Sequence, residues 1–218
     1  MSSFADYAEK IRAVLCPALP REWDGKAAIL EMKESGFRHW KQMEWIGFYF
    51  QFLCERVLAG VMEMPGPRFG KVEFDGFLGV PWDFKAHAIN TSHHQIIVND
   101  SEAIAAAVSE YGALGVILAS GNVDYNDEER TFQRWHEEIK GGPSPYTLER
   151  IRRGAWSRLR KVRFSLQQIA FIKITDETLV KCGSFQQDFR NADGSPRKPK
   201  VLINLEKLDE EIVLAVDY

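Results

Sequence analysis

Apolar and polar residues alternate along the chain from Val80 to Ala88, the pattern of a β-strand with two different faces. One face carries Trp82, Phe84 and Ala86, and the other carries Asp83, Lys85 and His87. Because successive side chains of a strand point to opposite sides, the alternation predicts a strand with one buried face and one continuous polar face.

The remaining periodicity predicts a chain that mixes helices and strands. Helices are expected at about 3–15, 25–35, 38–59, 101–111, 124–140 and 145–160. Strands are expected at about 70–77, 81–89, 95–98, 114–119, 162–174, 183–189, 200–205 and 211–216. The apolar run from Leu114 to Ala119 suits a strand buried on both faces. The predicted fold class is therefore α/β: a mixed central β-sheet flanked by helices, with N-terminal helices and a C-terminal β-rich elaboration.

Two acidic residues are predicted to face each other across a hairpin. A three-residue loop centred on Gly79 sets Asp75 directly opposite Asp83. Like charges directly opposed on a sheet are destabilising, so the arrangement favours a cation between them. Oxygen ligands of this kind are typical of Mg²⁺.

A second hairpin is compatible with the same residues. Asp75-Gly76 is itself a two-residue turn signal, and this turn would leave Asp83 and Lys85 as a solvated strand face with a weak salt bridge. The turn at Gly79 is favoured because the strand pattern runs up to that glycine, which tolerates positive φ.

Asp75, seven intervening residues and then Asp83-Phe84-Lys85 resemble the signature of the PD-(D/E)xK nuclease superfamily, to which many restriction endonucleases belong. Phe74 stands where the signature has proline, and the motif covers only Asp75 to Lys85. By order of elements the resemblance extends over about 38–120. It implies a restriction-endonuclease-like core, in which the last strand runs parallel to its neighbour through a crossover helix.

The resemblance implies roles for particular residues. Asp75, Asp83 and the backbone carbonyl of Phe84 would hold Mg²⁺, and Lys85 would position the attacking water or stabilise charge on the phosphate. Glu44, on the polar stripe of the helix at 38–59, is a weaker candidate for a further metal ligand. Its alternative is a solvated carboxylate.

Charge is distributed unevenly along the chain. The formal net charge is −3, yet seven basic residues and no acidic residue lie between 150 and 163. On a helix over 145–160, an apolar stripe of Leu148, Ile151, Ala155 and Leu159 would face inward. The expected DNA-binding residues are Arg150, Arg153, Arg160 and Lys161, with His87 as a weaker candidate. The alternative is a solvated helix face neutralised by nearby glutamates. A second basic segment, 190–200, is expected to be a loop between two strands.

These observations predict one domain over 1–218, with a nuclease core at about 38–120 and an elaboration at about 121–218 for DNA binding and dimerisation. The expected function is Mg²⁺-dependent cleavage of double-stranded DNA by a homodimer, most like a type II restriction enzyme. The alternatives are a non-catalytic nucleic-acid-binding module with a degenerate nuclease fold, and a repair or recombination nuclease. Neither a membrane span nor a secretory signal is evident, so the cytoplasm is expected. The three cysteines show neither disulfide nor zinc spacing.

Overall fold

A six-stranded mixed sheet lies at the centre of the computed structural model, which describes residues 2–125, 128–154, 159–186, 198–208 and 210–218, apart from the side chain of Tyr146. Its strands follow the order β1 (Glu22–Asp24), β8 (Lys161–Ile174), β7 (Leu114–Tyr125), β5 (Val80–Ala88) and β4 (Gly76–Leu78), and β11 (Ile212–Asp217) also pairs with β8. A three-stranded sheet has the order β6 (Gln95–Asp100), β10 (Lys200–Asn204) and β9 (Gly183–Gln186). A two-stranded sheet pairs β2 (Arg68–Phe69) with β3 (Val72–Glu73). Helices cover the central sheet, so the predicted fold class is confirmed.

The first part of the chain holds α1 (Phe4–Leu15), β1 (Glu22–Asp24), α2 (Gly25–Glu34) and α3 (Trp45–Leu58). Next come β2 (Arg68–Phe69), β3 (Val72–Glu73), β4 (Gly76–Leu78), β5 (Val80–Ala88), β6 (Gln95–Asp100), α4 (Ser101–Tyr111) and β7 (Leu114–Tyr125). The last part holds α5 (Thr131–Ile139), α6 (Pro145–Arg152), β8 (Lys161–Ile174), α7 (Asp176–Cys182), β9 (Gly183–Gln186), β10 (Lys200–Asn204) and β11 (Ile212–Asp217). Single 3₁₀ turns span Cys16–Ala18 and Leu205–Lys207.

β5 and β7 form the parallel pair of the central sheet, with α4 in the connection between them. Parallel strands need a long crossover, which a helix supplies. The predicted crossover arrangement is therefore confirmed. Residues Leu114 to Ala119 of β7 are buried throughout, as their apolar run predicts.

Two hydrophobic cores lie on opposite faces of the central sheet. On one face the helices α1 to α3 pack through residues such as Ile11, Phe50 and Leu53 against Trp82 and Ile117. On the other face α4, β6 and β10 pack against the other side chains of β7 and β8. The alternation of β5 is reproduced, because Trp82 and Phe84 belong to the first core.

The observed elements depart from the predicted bounds at several points. Helix α3 begins at Trp45 instead of at 38, and the indole Nε1 of Trp45 donates a hydrogen bond to the carbonyl of Lys161 (2.8 Å). The predicted strand at 70–77 is divided into β3 and β4 by a break at Phe74 and Asp75, and a turn at Gly70 (φ +60°) joins β2 to β3. Strand β1 and helix α7 have no counterpart in the prediction. The central sheet also takes β1, β8 and β11 from outside 38–120.

The predicted helix at 145–160 is wrong at the described residues 153–154 and 159–160, which are not helical, and it is wrong in its burial. Helix α6 ends at Arg152, close to Gly154 with φ +65°. The apolar residues expected to face inward are exposed: Leu148 by 53%, Ile151 by 43% and Leu159 by 37%. Ala155, and most of the basic segment 190–200, lie outside the described residues.

All three cysteines are free and buried. Among the described helices, none combines the length and apolar character needed to cross a bilayer.

Replacing Gly79 by alanine is expected to destabilise the hairpin between β4 and β5. Gly79 has φ +70°, and a Cβ added there would lie 2.1 Å from the ring of Tyr7. A left-handed backbone costs about 1 to 2 kcal/mol, and overpacking adds about 1 to 3 kcal/mol. Chemical unfolding should therefore show a loss of about 2 to 5 kcal/mol for Gly79→Ala.

Gly36 is the matched control for this substitution, because its φ is +69° and its added Cβ would meet nothing within 4 Å. Gly36→Ala should lose only the backbone contribution of about 1 to 2 kcal/mol. Equal losses in the two variants would show that the contact with Tyr7 does not constrain the hairpin.

Candidate active site

The hairpin of β4 and β5 turns at Gly79. Phe77 pairs with Pro81 and Gly76 with Trp82, as predicted for the loop centred on this glycine. The alternative turn at Asp75-Gly76 is therefore wrong. Asp75 itself lies in a bend immediately before β4, one residue short of the strand expected to contain it.

Asp75 is held at the open end of the hairpin by a side-chain hydrogen bond. Its Oδ2 accepts from the backbone N–H of Phe84 at 2.7 Å. Strand β4 begins at Gly76, opposite Trp82, and does not extend as far as Phe84. The carboxylate of Asp75 therefore takes the place of a backbone partner for Phe84. The N–H and C=O of a strand residue point to the same edge, and the carbonyl of Phe84 therefore faces the edge on which Asp75 lies.

Asp83 and Lys85 lie side by side on the opposite face of β5 from Phe84. Asp83 is 2% exposed, and the Nζ of Lys85 lies 3.1 Å from its Oδ2. Val116 and Leu118 of β7 are their apolar strand neighbours. The Oδ2 of Asp83 receives no well-directed hydrogen bond from the described residues, so the ion pair compensates its charge without satisfying its geometry.

The charge of Asp83 acts on the carboxyl group of Asp75. Burial raises the pKa of Asp75 to about 7, with a further contribution from the charge of Asp83, while Lys85 and the Phe84 N–H act in the other direction. Burial acts to lower the pKa of Lys85, but Asp83 and Asp75 outweigh it and the pKa is raised. Buried Asp83 and half-buried Asp75 thus share one ammonium group, which leaves negative charge that a cation would neutralise.

This donor set fits Mg²⁺. Asp75, Asp83 and the Phe84 carbonyl supply oxygen atoms, and Mg²⁺ commonly binds one or two carboxylates while keeping several waters. In the part of the chain that the structure describes, no group of three or more His, Cys, Asp or Glu side chains is placed to hold a metal ion. The residues therefore fit an open site completed by water and substrate, rather than a closed protein cage.

Helix α3 contributes Glu55 to the surroundings of Asp75. The charge of Glu55 adds to the raised pKa of Asp75, and its Oε1 accepts a hydrogen bond from Gln51 Nε2 at 2.9 Å. Gln51, Glu55 and Asp75 line one cavity of about 320 Å³. Neither Gln51 nor Glu55 was predicted as a site residue, although the polar stripe of this helix includes both.

Glu44 lies elsewhere on α3, at its N-cap. Its side chain is 72% exposed, and its carboxylate oxygens lie 3.6 Å from Arg160 Nη1 and 3.7 Å from Lys161 Nζ. The structure therefore pairs Glu44 with two of the predicted DNA-binding residues. Its role as a metal ligand stays a prediction.

A cavity of about 460 Å³ connects these groups. It is lined by Glu44, Gln51, Asp75, Lys85, His87 and Lys161, among others. Burial, followed by the charge of Lys161, lowers the pKa of His87, which keeps the imidazole neutral at pH 7. Asp75 and Lys85 thus share one opening with a basic rim that is formed by His87 and Lys161.

The predicted DNA-binding residues fall into two groups instead of one helical row. Arg150 and Arg153 belong to α6 and its C-cap, where Glu149 pairs with Arg153 at 2.6 Å. Arg160 and Lys161 lie at the start of β8 beside the cavity. Arg158, another member of the basic run, lies outside the described residues.

No protein-family model matches the sequence, and no curated protein matches it. Among solved structures, the chain is similar to the restriction endonuclease BglI bound to its DNA recognition sequence, with a TM-score of 0.39 and 11% identity. The similarity covers 98% of this chain and 85% of that chain. A TM-score of this size does not establish a common fold, so the assignment of a function rests on the geometry of the site.

The free energy of unfolding should depend on pH through protonation of the Asp75 carboxyl group. Its folded pKa of about 7 lies above the ordinary value of 3.8, so the folded protein retains a proton that the unfolded chain has released. The corresponding stability is full below pH 3.8 and is lost as the pH rises to about 7. Asp75→Asn removes this loss, and the variant should gain on the order of 2 to 4 kcal/mol relative to wild type across that range.

Urea unfolding at a series of pH values, in the presence of a chelator, measures this difference. Asp176→Asn is the control, because Asp176 is exposed on α7. Parallel pH profiles for wild type and Asp75→Asn would contradict the assignment of a raised pKa to Asp75.

Proposed function

We propose that this protein is a Mg²⁺-dependent endonuclease that hydrolyses phosphodiester bonds in double-stranded DNA, most like a type II restriction enzyme. The observation that carries the proposal is the acidic pair, buried Asp83 and half-buried Asp75, beside the single ammonium group of Lys85. Burying two like charges together is costly, and it is explained when the site exists to hold a cation.

Asp75, Asp83 and the carbonyl of Phe84 are the residues that would hold Mg²⁺. The bound ion supplies Lewis acidity and lowers the pKa of a coordinated water. The hydrogen bond from the Phe84 N–H fixes one oxygen of Asp75, which keeps its other oxygen available. Burial of Asp83 among apolar neighbours strengthens its interaction with any charge in the cavity.

Lys85 acts as a cation in this proposal. Its raised pKa keeps the side chain protonated at neutral pH, so Lys85 does not serve as a general base. An ammonium group can instead donate hydrogen bonds to a water or to a phosphate oxygen and stabilise developing negative charge. Its side chain is 22% exposed and lines the 460 Å³ cavity, from which it can reach a substrate.

Helix α3 contributes a further carboxylate to this proposal. Glu55, rather than Glu44, is the α3 residue whose charge acts on Asp75, and Gln51 holds its carboxylate. We therefore assign Glu55 to the cation site, where it would contribute directly or through a water.

Basic residues at the mouth of the cavity would contact the DNA backbone. Lys161 and His87 line the cavity itself, and Arg160 lies beside them. Arg150 and Arg153 on α6 would supply a second set of contacts. Cutting both strands of a palindromic duplex is met most simply by a two-fold homodimer, which is the proposed assembly.

Incubation with plasmid and genomic DNA from several sources, with Mg²⁺ or with a chelator, tests the proposed activity. Discrete fragments that require Mg²⁺ are expected from a site-specific endonuclease. A smear would favour a repair or recombination nuclease. Intact DNA with all substrates, despite binding, would favour a non-catalytic nucleic-acid-binding module and contradict the proposal.

Asp83→Asn should lower the rate of Mg²⁺-dependent cleavage by more than about 100-fold, because a cation ligand of the reacting centre is lost. Binding to DNA in a chelator should remain, since Asp83 contacts no part of the basic rim. Asp176→Asn, which removes the same charge from the surface of α7, should cleave at the wild-type rate. Near-normal cleavage by Asp83→Asn would remove Asp83 from the mechanism.

A further inference from the structure

Glu44 makes a loose contact with its two basic partners. Its oxygens lie 3.6 and 3.7 Å from Arg160 and Lys161, whereas charge-assisted hydrogen bonds are about 2.7–2.9 Å long. As the N-cap of α3 it accepts no side-chain hydrogen bond from the helix, and its side chain is 72% exposed. The fold therefore does not depend on this carboxylate remaining where it is.

The basic partners, in contrast, are built into the structure. The side chain of Arg160 is only 19% exposed, and its Nε is buried without a hydrogen-bond partner among the described residues. Lys140, the C-cap of α5, contacts Met43 Sδ through its Nζ at 3.2 Å. Burial lowers the pKa of Lys140, and the charge of Arg160 acts in the same direction. An arginine with an unsatisfied donor, close to further positive charge, is arranged to receive an anion.

The position of this basic group relative to the acidic pair identifies the anion. Lys161 and Glu44 line the same 460 Å³ cavity as Asp75 and Lys85, and the charge of Lys161 acts on His87 between them. A DNA strand that enters this cavity with its scissile phosphate at Lys85 therefore also passes Lys161, where a further backbone phosphate can bind. A carboxylate and a phosphate present the same oxygen acceptors to arginine and lysine.

We propose that Glu44 occupies the site of a DNA backbone phosphate beside the scissile one, and that it competes with DNA for Arg160 and Lys161. The inference rests on the proposed function and gives Glu44 a role in regulating DNA binding instead of metal binding. Sequence-independent affinity for DNA is mainly electrostatic, so an internal carboxylate at a phosphate site weakens non-specific binding. Contacts that form only on a cognate site can then displace it.

The dissociation constant for a mixed-sequence DNA duplex, measured in a chelator at several salt concentrations, tests this inference. Glu44→Gln should bind about two- to fivefold more tightly than wild type, the range expected for release of an exposed ion pair. Its affinity should also depend more steeply on salt, by about 1 in the logarithmic slope, because one further phosphate contact releases a counterion. With Arg160→Gln and Lys161→Gln also present, Glu44→Gln should give no gain.

Glu177→Gln is the control, because it removes one negative charge from the exposed first turn of α7. Equal affinities of Glu44→Gln and Glu177→Gln would overturn the inference, provided that wild type binds the duplex. Loss of Mg²⁺-dependent cleavage by Glu44→Gln, with DNA binding in chelator unchanged, would also overturn it and identify Glu44 as a metal ligand. Wild-type protein that neither binds nor cleaves DNA would overturn the proposed function itself, and this inference with it.

Discussion

Buried Asp83 and half-buried Asp75 share one ammonium group at the open end of a hairpin, and this balance of charge constrains the rest of the site. Asp83 is almost completely buried, and burial together with Asp83 raises the pKa of Asp75. The single ammonium group of Lys85 cannot neutralise both carboxylates. A protein that only needed stability would be served as well or better by apolar side chains of similar volume at these positions.

The fold supplies the geometry that makes this arrangement persist. The turn at Gly79 fixes the register of β4 on β5, and the parallel pairing of β5 with β7 fixes which face carries Asp83 and Lys85. Because β4 begins opposite Trp82, β5 has no strand partner on this edge at Phe84, and the carboxylate of Asp75 accepts the hydrogen bond from the Phe84 N–H instead. One short strand thus positions an acid, exposes a carbonyl and leaves the cavity accessible to a substrate.

The sequence predicts the parts of this site that depend on local patterns. The alternation along β5, the turn at Gly79 and the buried run of β7 all follow from spacing and residue type over fewer than about ten residues. The proposed role of Glu55 does not follow from a local pattern. The start of α3 depends on a hydrogen bond from Trp45 to Lys161, which is distant in the sequence. The exposure of Leu148 and Ile151 also escapes prediction, since an apolar stripe on a helix shows that it can be buried and not that a partner covers it.

The most direct test of the cation site is anomalous scattering from a crystal of the wild-type protein soaked in Mn²⁺, which takes the same oxygen ligands as Mg²⁺. The account predicts an anomalous peak between the carboxylates of Asp75 and Asp83, within coordination distance of the Phe84 carbonyl. A crystal with no peak at this position, or with its only peak at another group of residues, would contradict the central claim that these two carboxyl groups are placed together to hold a cation.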